Sequence, residues 1–224
     1  MKPRTEVIDG WKSFPGDTAL KAATKQGNGC VAAYQKNQLI ESIAFCKQRR
    51  TSIDIGAHIG IMTYNMSKEF RHVHSFEIFS ETYALLEHNI ETHSVKNCTL
   101  YNCGIGMKEE SVAVNFRPRK SFSTHVAPGT EGNCKVRSLD SYGFTDVDFI
   151  KIDAEGYEPL IALGAMKTIT RCLPVILFER KNHPTRYGYK RDSIIEILEP
   201  LGYRVLKEFG AKNAVIGVPG NDSV

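Results

Sequence analysis

Between Thr51 and Phe70 the chain changes structural period, and no other feature limits its fold as strongly. Thr51–Ile55 is a β-branched run bounded by Arg49 and Arg50; Ile59, Met62, Thr63, Met66 and Phe70 then recur at helical spacing. The join, Ile53-Asp54-Ile55-Gly56-Ala57-His58-Ile59-Gly60, reads as a strand passing through a glycine turn into an amphipathic helix, which is half of a βαβ unit. Such a turn offers backbone N–H groups at a helix start, and Gly56 and Gly60 carry no Cβ to hold a bound cofactor away. Gly56, Ala57, His58 and Gly60 are therefore candidate cofactor contacts. Asp54 has little reason to lie under a pyrophosphate and suits a cofactor with a cationic end.

From residue 51 strand and helix alternate regularly, with strands near 51–55, 72–77, 98–103, 148–153, 173–179, 203–208 and 213–218 and helices near 59–70, 80–92, 156–170 and 191–200. The pattern predicts an α/β fold: a mostly parallel sheet with helices on both faces. Only Phe209 to Lys212 join the last two strands, too few for a crossover helix, so that pair must be antiparallel. A Rossmann-like sheet of seven strands ending in an antiparallel hairpin resembles that of the class I methyltransferases. A dinucleotide dehydrogenase would be expected to end differently.

Residues 1–50 read as an N-terminal helical cap, with one helix from Ala19 to Lys25 capped by Asp17 and stopped by Gly27-Asn28-Gly29, and a second from Tyr34 to Lys47. The main domain spans 51–218, with an insertion at 104–147 expected over the carboxyl ends of the strands, where open α/β sheets bind ligands; 219–224 are a tail. At 224 residues and 42% hydrophobic content a single core needs no staples. A net charge of +4 permits an anionic substrate but is too small by itself to argue for nucleic acid. The six cysteines show no CxxC pair or zinc spacing and read as free thiols of a reducing compartment. The segment Met1–Glu6 lacks an apolar signal core and no run approaches the roughly 18 apolar residues of a membrane span. The expectation is a cytoplasmic protein without a membrane partner.

The second strand ends at Glu77, 17 residues after Gly60, where a carboxylate can accept both hydroxyls of a ribose. The third ends Tyr101-Asn102-Cys103-Gly104, where Asn102 and the neighbouring backbone would hold an adenine beside small residues. The fourth ends in the segment Asp148-Phe-Ile-Lys-Ile-Asp-Ala-Glu-Gly-Tyr-Glu158. Several carboxylates crowded at the end of a central strand are costly unless they bind something or are solvated in a cleft.

These blocks together resemble the FkbM-type methyltransferases over about residues 51–180. They are the glycine turn, His74-Ser-Phe-Glu77, Leu86-Glu-His-Asn89, the fourth-strand segment with Gly164-Ala165, and Pro174-Val-Ile-Leu-Phe-Glu179. The fourth-strand block is the specific one. The resemblance implies a class I fold, bound S-adenosylmethionine and, usually, O-methylation of sugars or other small hydroxylated metabolites. The chain departs from the family at His58, where asparagine is usual, and at Ile78, where proline usually follows the acid. Neither departure removes a group the cofactor needs, though the His58 imidazole could touch the methionine end.

Methyl transfer from a sulfonium requires an acceptor oxygen held about 3 Å from the methyl carbon and a group to remove its proton. Asp153, Glu155 and Glu179 end adjacent strands and are the catalytic candidates, Asp153 foremost and also facing the methyl donor. They could act as a direct base or hold a divalent metal, at Asp153 and Glu179 for instance, that acidifies the acceptor hydroxyl. With no third ligand evident in sequence, the metal-free route is preferred. His125 and His183 are alternative bases. The cations Arg117 and Arg119, with Lys120, and the segment carrying Lys181, His183 and Arg186 would suit a phosphorylated or nucleotide-linked acceptor, or RNA. The competing readings are an RNA or cap ribose methyltransferase, for which two lysines beside Asp153 cannot be placed from sequence, and a non-catalytic S-adenosylmethionine-binding module.

Overall fold

A computed structural model describes residues 5–220. Its centre is a sheet of seven strands: β1 (Thr51–Ile55), β2 (His72–Phe76), β3 (Cys98–Tyr101), β4 (Val147–Ile152), β5 (Val175–Glu179), β6 (Arg204–Phe209) and β7 (Asn213–Gly217). Their spatial order is β6-β7-β5-β4-β1-β2-β3. The five strands from β3 to β5 run parallel and β7 lies antiparallel between β5 and β6. The order reverses between β1 and β4, and a crevice opens there at the carboxyl ends of the strands, the usual ligand position in an open α/β sheet.

Helices α1 (Thr18–Gln26), α2 (Lys36–Ile43), α3 (Ile61–Ser67), α4 (Ser80–Thr92), α5 (Glu158–Gly164), α6 (Met166–Cys172) and α7 (Ser193–Leu198) complete the frame. Alternation along β4 shows the layering. Phe149 packs with Leu39 and Ile43 of α2 and Met62 and Met66 of α3, while Ile150 and Ile152 pack with Ile161, Ile169 and Ile194 on the other face. The helix expected over 156–170 is divided at Ala165. Gly164 abuts the Gly106 carbonyl, and Asp140 accepts the N–H groups of Lys167 (2.9 Å) and Thr168 (2.8 Å), so a new helix starts under a cap supplied by the insertion.

The first fifty residues are not wholly helical. A hairpin of Glu6–Ile8 and Trp11–Ser13 precedes α1, and α2 is shorter than expected. Asp17 does cap α1, its Oδ1 accepting the Ala19 N–H at 3.0 Å. Trp11, Phe14, Leu20 and Val31 share one apolar cluster with Ile59, Ile61 and Leu85, so this segment packs on α3 and α4. Within 104–147, Cys134–Arg137 pairs with both Gly104–Ile105 and Glu110–Val112, a small sheet beside the crevice. Among the described residues no helix is long and apolar enough to cross a membrane.

Candidate active site

The crevice is a cavity of about 590 Å³ walled by the β1 turn, the ends of β4 and β5, α1, and residues 121–126 of the insertion. That volume falls within the range of roughly 300–1,000 Å³ typical of small-molecule sites. The cavity unites much of what the sequence proposes: Gly56, Ala57, His58, Glu77, Ile78, Gly104, Asp153, Glu155, Glu179, His125 and Lys181 all line it.

Glu77 is held in a defined orientation. Its Oε2 accepts the His58 N–H (2.9 Å) and its Oε1 accepts the Phe79 N–H (3.0 Å), so each oxygen keeps acceptor capacity for the cavity. Burial pushes its pKa up to about 7 against the lowering effect of those two N–H groups. The carboxyl group is therefore poised near neutrality, and hydroxyl donors from a ribose would favour its ionised form.

Beneath the turn lies a buried polar network. Asp54 is fully buried, with Lys151 Nζ at 3.1 Å from Oδ1 and the Thr63 hydroxyl donating to Oδ2 at 2.8 Å. Asp54 and Lys151 are register partners on the adjacent strands β1 and β4, which places both side chains on the α3 face. Lys151 Nζ also donates to the Gly56 carbonyl at 2.9 Å, tying the turn to the sheet. Burial alone would lower the Lys151 pKa, but Asp54 and Asp153 outweigh it and hold it raised. The expected contact of Asp54 with a cationic cofactor end is therefore corrected: its carboxylate faces Lys151, not the cavity.

The glycines act differently from expectation. A Cβ on Gly56 would lie 1.9 Å from the Asp153 carbonyl oxygen, and one on Gly60 would lie 2.7 Å from Leu86 Cδ1. Both have φ in the left-handed region, +77° and +97°. They let the turn approach β4 and α4, and Gly60 is not among the lining residues. Asn102 and Cys103 are also removed from direct contact. Asn102 Nδ2 donates to the Glu77 carbonyl (3.0 Å), bracing the end of β2, and buried Cys103 has its Sγ 3.1 Å from the Tyr142 hydroxyl. The wall beside Glu77 is instead Ile78 with Gly104, Ile105 and Val136 of the insertion.

His58 is half-buried beside the turn, ahead of the helix cap Gly60. Its Nε2 lies 2.5 Å from the Ser121 hydroxyl, which in turn donates to Asp17, so three segments meet over the turn. Burial lowers its pKa to about 4. Tyr34, which the sequence reading missed, lines the same region; burial followed by the Asp153 charge raises its pKa.

At the far side, Asp153, Glu155 and Glu179 converge. Glu155 and Gly156 both have positive φ, 52° and 110°, and a Cβ on Gly156 would lie 2.6 Å from the His183 backbone. That close approach brings His183 Nδ1 to 2.9 Å from Glu155 Oε2 and 3.4 Å from Glu179 Oε2. Burial first, then the Asp153 charge, raises Glu155 to about 7; burial, Asp153 and Glu155 raise Glu179 to about 9. Glu158 is buried and accepts the N–H groups of Ala154 (3.1 Å) and Gly156 (3.2 Å), so it shapes the turn. Lys181 is ion-paired with Glu179. Arg186 donates to the Glu155 carbonyl at 2.7 Å and, like His183, does not line the cavity. Arg117 and Arg119 are exposed and also outside it, which corrects the basic rim expected from the insertion. Their helical turn faces solvent; from it buried Ser121 and exposed Phe122 border the cavity.

The strand order and the crevice at its reversal define a class I methyltransferase fold. Residues 54–205 match the family described as methyltransferase FkbM domain; this is more than half of the chain, which belongs to that family. Methyltransferase 1 of Beauveria bassiana (strain ARSEF 2860) is 29% identical over 90 residues, covering 39% of this chain and 36% of that protein. The match thus spans about a third of that curated relative's length. The fold is similar to that of methyltransferase FkbM from Methylobacillus flagellatus KT, with TM-score 0.53, 19% identity, 75% of this chain and 43% of that one covered. It is also similar to a Streptococcus mutans protein in complex with SAH, with TM-score 0.52, 13% identity, and 81% and 96% covered.

Proposed function

We propose that this chain is an S-adenosylmethionine-dependent methyltransferase that methylates a hydroxyl of a small, anionic acceptor, a sugar or comparable metabolite. The observation that carries the reading is the placement of Asp153: it directly follows β4, in one cavity with the Gly56 turn and the oriented carboxyl group of Glu77. The Streptococcus mutans protein of similar fold was solved with SAH, which supports the choice of cofactor.

The cavity fits that cofactor on its own chemistry. Glu77 keeps free acceptor positions for the ribose hydroxyls, Ile78, Ile105 and Val136 give an apolar wall for adenine, and Gly56 to His58 with Tyr34 border the methionine end. When bound, S-adenosylmethionine supplies an electrophilic methyl group. The Asp153 carboxylate takes the proton of the acceptor hydroxyl. Lys151, 4.0 Å from Asp153 Oδ2, holds that carboxylate at the end of the strand. Phe122 and residues 209–213 border the cavity and limit access of water, and Lys212 and His125 offer polar groups to an anionic acceptor.

The ribose-methylating alternative gains two lysines near Asp153, since Lys151 and Lys181 both line the cavity. Lys151, however, is committed to Gly56 and Asp54, and Lys181 to Glu179. The exposed Arg117 and Arg119 lie off the cavity, so the small acceptor is favoured. Incubation of the protein with methyl-labelled S-adenosylmethionine and fractionated extracts, with and without RNase, should place label in an RNase-resistant small-molecule fraction. Label lost on RNase treatment would transfer the reading to RNA, and label in no fraction would count against catalysis.

A further inference from the structure

We propose that Glu155, Glu179 and His183 form a binding site for one divalent metal ion at the edge of the cavity. One ligand atom from each can be chosen so that all lie within 4.8 Å of one another. His183 Nδ1 stands 2.9 Å from Glu155 Oε2 and 3.4 Å from Glu179 Oε2. Two atoms bound at right angles to one ion at about 2.1 Å lie about 3 Å apart, so the three need little movement to share a metal.

The second observation is that the contacts are not hydrogen bonds. The Glu179 side chain is 9% exposed, yet its buried Oε2 has no hydrogen-bond partner, and neither has His183 Nδ1 despite the short distances. A buried carboxylate oxygen and a ring nitrogen left in this way are costly unless a cation stands between them. The neighbouring cations leave these atoms free. Lys181 pairs with the other oxygen of Glu179, and Arg186 bonds the Glu155 backbone carbonyl while its Nη1 stays 3.9 Å from Oε2.

With Lys151 committed to Asp54, the carboxylates Asp153, Glu155 and Glu179 face Lys181 and Arg186 around the cluster, so carboxylates outnumber cations. Burial, then Arg186 and Lys181, lower the His183 pKa, which favours the neutral ring that a ligand nitrogen requires. The like-charge crowding that raises Glu179 is what a bound cation relieves. The strained left-handed φ of Glu155, 52°, is understandable if its carboxylate must meet the other two.

Two carboxylates with one imidazole suit a transition ion such as manganese(II) better than the all-oxygen preference of calcium or magnesium. Water would fill the remaining positions. The site itself is independent of the proposed reaction; its use, lowering the pKa of an acceptor hydroxyl beside Asp153, rests on the methyl-transfer reading.

The test is titration of the protein with manganese(II), followed by electron paramagnetic resonance without S-adenosylmethionine. One saturable site is expected, with Glu179→Gln and His183→Ala each weakening it tenfold or more. Circular dichroism melts identify any variant that fails to fold, and His183→Gln is then the milder replacement. Absence of saturable binding below millimolar manganese, or folded variants that bind as the unaltered protein does, would overturn the site. S-adenosylmethionine binding by the unaltered protein is measured separately, so failure of the metal site is distinguishable from failure of the methyl-transfer reading.

Discussion

Replacing Asp153 by Asn is expected to lower methyl transfer by about 10²–10⁴-fold, the contribution of one positioned acid–base group, while S-adenosylmethionine binding stays within a few-fold of normal. The substitution keeps the size of the side chain and removes its charge and its capacity to take a proton. Asp153 rather than its neighbours is the expected base because its charge is a cause of the raised pKa values of Glu155 and Glu179. Burial and crowding shift both neighbours toward the protonated form, so neither is as available to take a proton at neutral pH. Single-turnover transfer to a fixed acceptor fraction, beside cofactor binding, makes the measurement. Near-normal turnover would remove Asp153 from the chemistry, and joint loss of binding and turnover would make it a cofactor ligand.

The second large effect belongs to the fold. Lys151→Met should destabilise the protein by about 3–5 kcal/mol, because it leaves the Asp54 carboxylate buried without its counter-charge. Asp54 is wholly inaccessible, and its other partner, Thr63, is neutral. For a chain of this size the melting temperature should fall by roughly 6–20 °C, at about 2–4 °C per kcal/mol. The double variant Asp54→Asn/Lys151→Met removes both charges and should recover most of that loss. The Gly56 carbonyl loses a hydrogen bond in both variants, so recovery in the double variant isolates the ion pair. A drop of only one or two degrees in Lys151→Met would mean the pair does not stabilise the turn.

The sheet was readable because its evidence is local. β-branched runs and helical spacing mark the strands and helices, and the short link from Phe209 to Lys212 permits only a hairpin. Glu77 was readable because its distance from the glycine turn places it at the end of the neighbouring strand. The N-terminal hairpin was not, since strands of three residues leave no period to detect.

Asp54 misled for a different reason. Its partner lies 97 positions away, and only the neighbouring of β1 and β4, with Asp54 opposite Lys151, shows that the carboxylate already has its counter-charge. Gly60 and Asn102 similarly serve packing and bracing that depend on α4 and β2. The meeting of Glu155 with His183 depends on the close approach at Gly156, which no spacing rule reveals. Glu179 and His183 do stand four apart, but outside a helix that spacing predicts no contact.

The methyl-donor assignment is tested most directly by calorimetric titration of the protein with S-adenosylmethionine between pH 6 and 8, beside Glu77→Gln. In the free protein the folded-state pKa of Glu77, about 7, stands above its ordinary 4.5. Its contribution to stability is thus full below that ordinary value and is lost as pH rises through about 7. Cofactor binding runs the opposite way, because ribose hydroxyls donate to the carboxylate. One-to-one binding is predicted, weakening toward tenfold per pH unit below about pH 7. Glu77→Gln should bind more weakly and show a flatter pH profile. No binding of S-adenosylmethionine, or an affinity that ignores both pH and the Glu77 substitution, would contradict the assignment of this cavity.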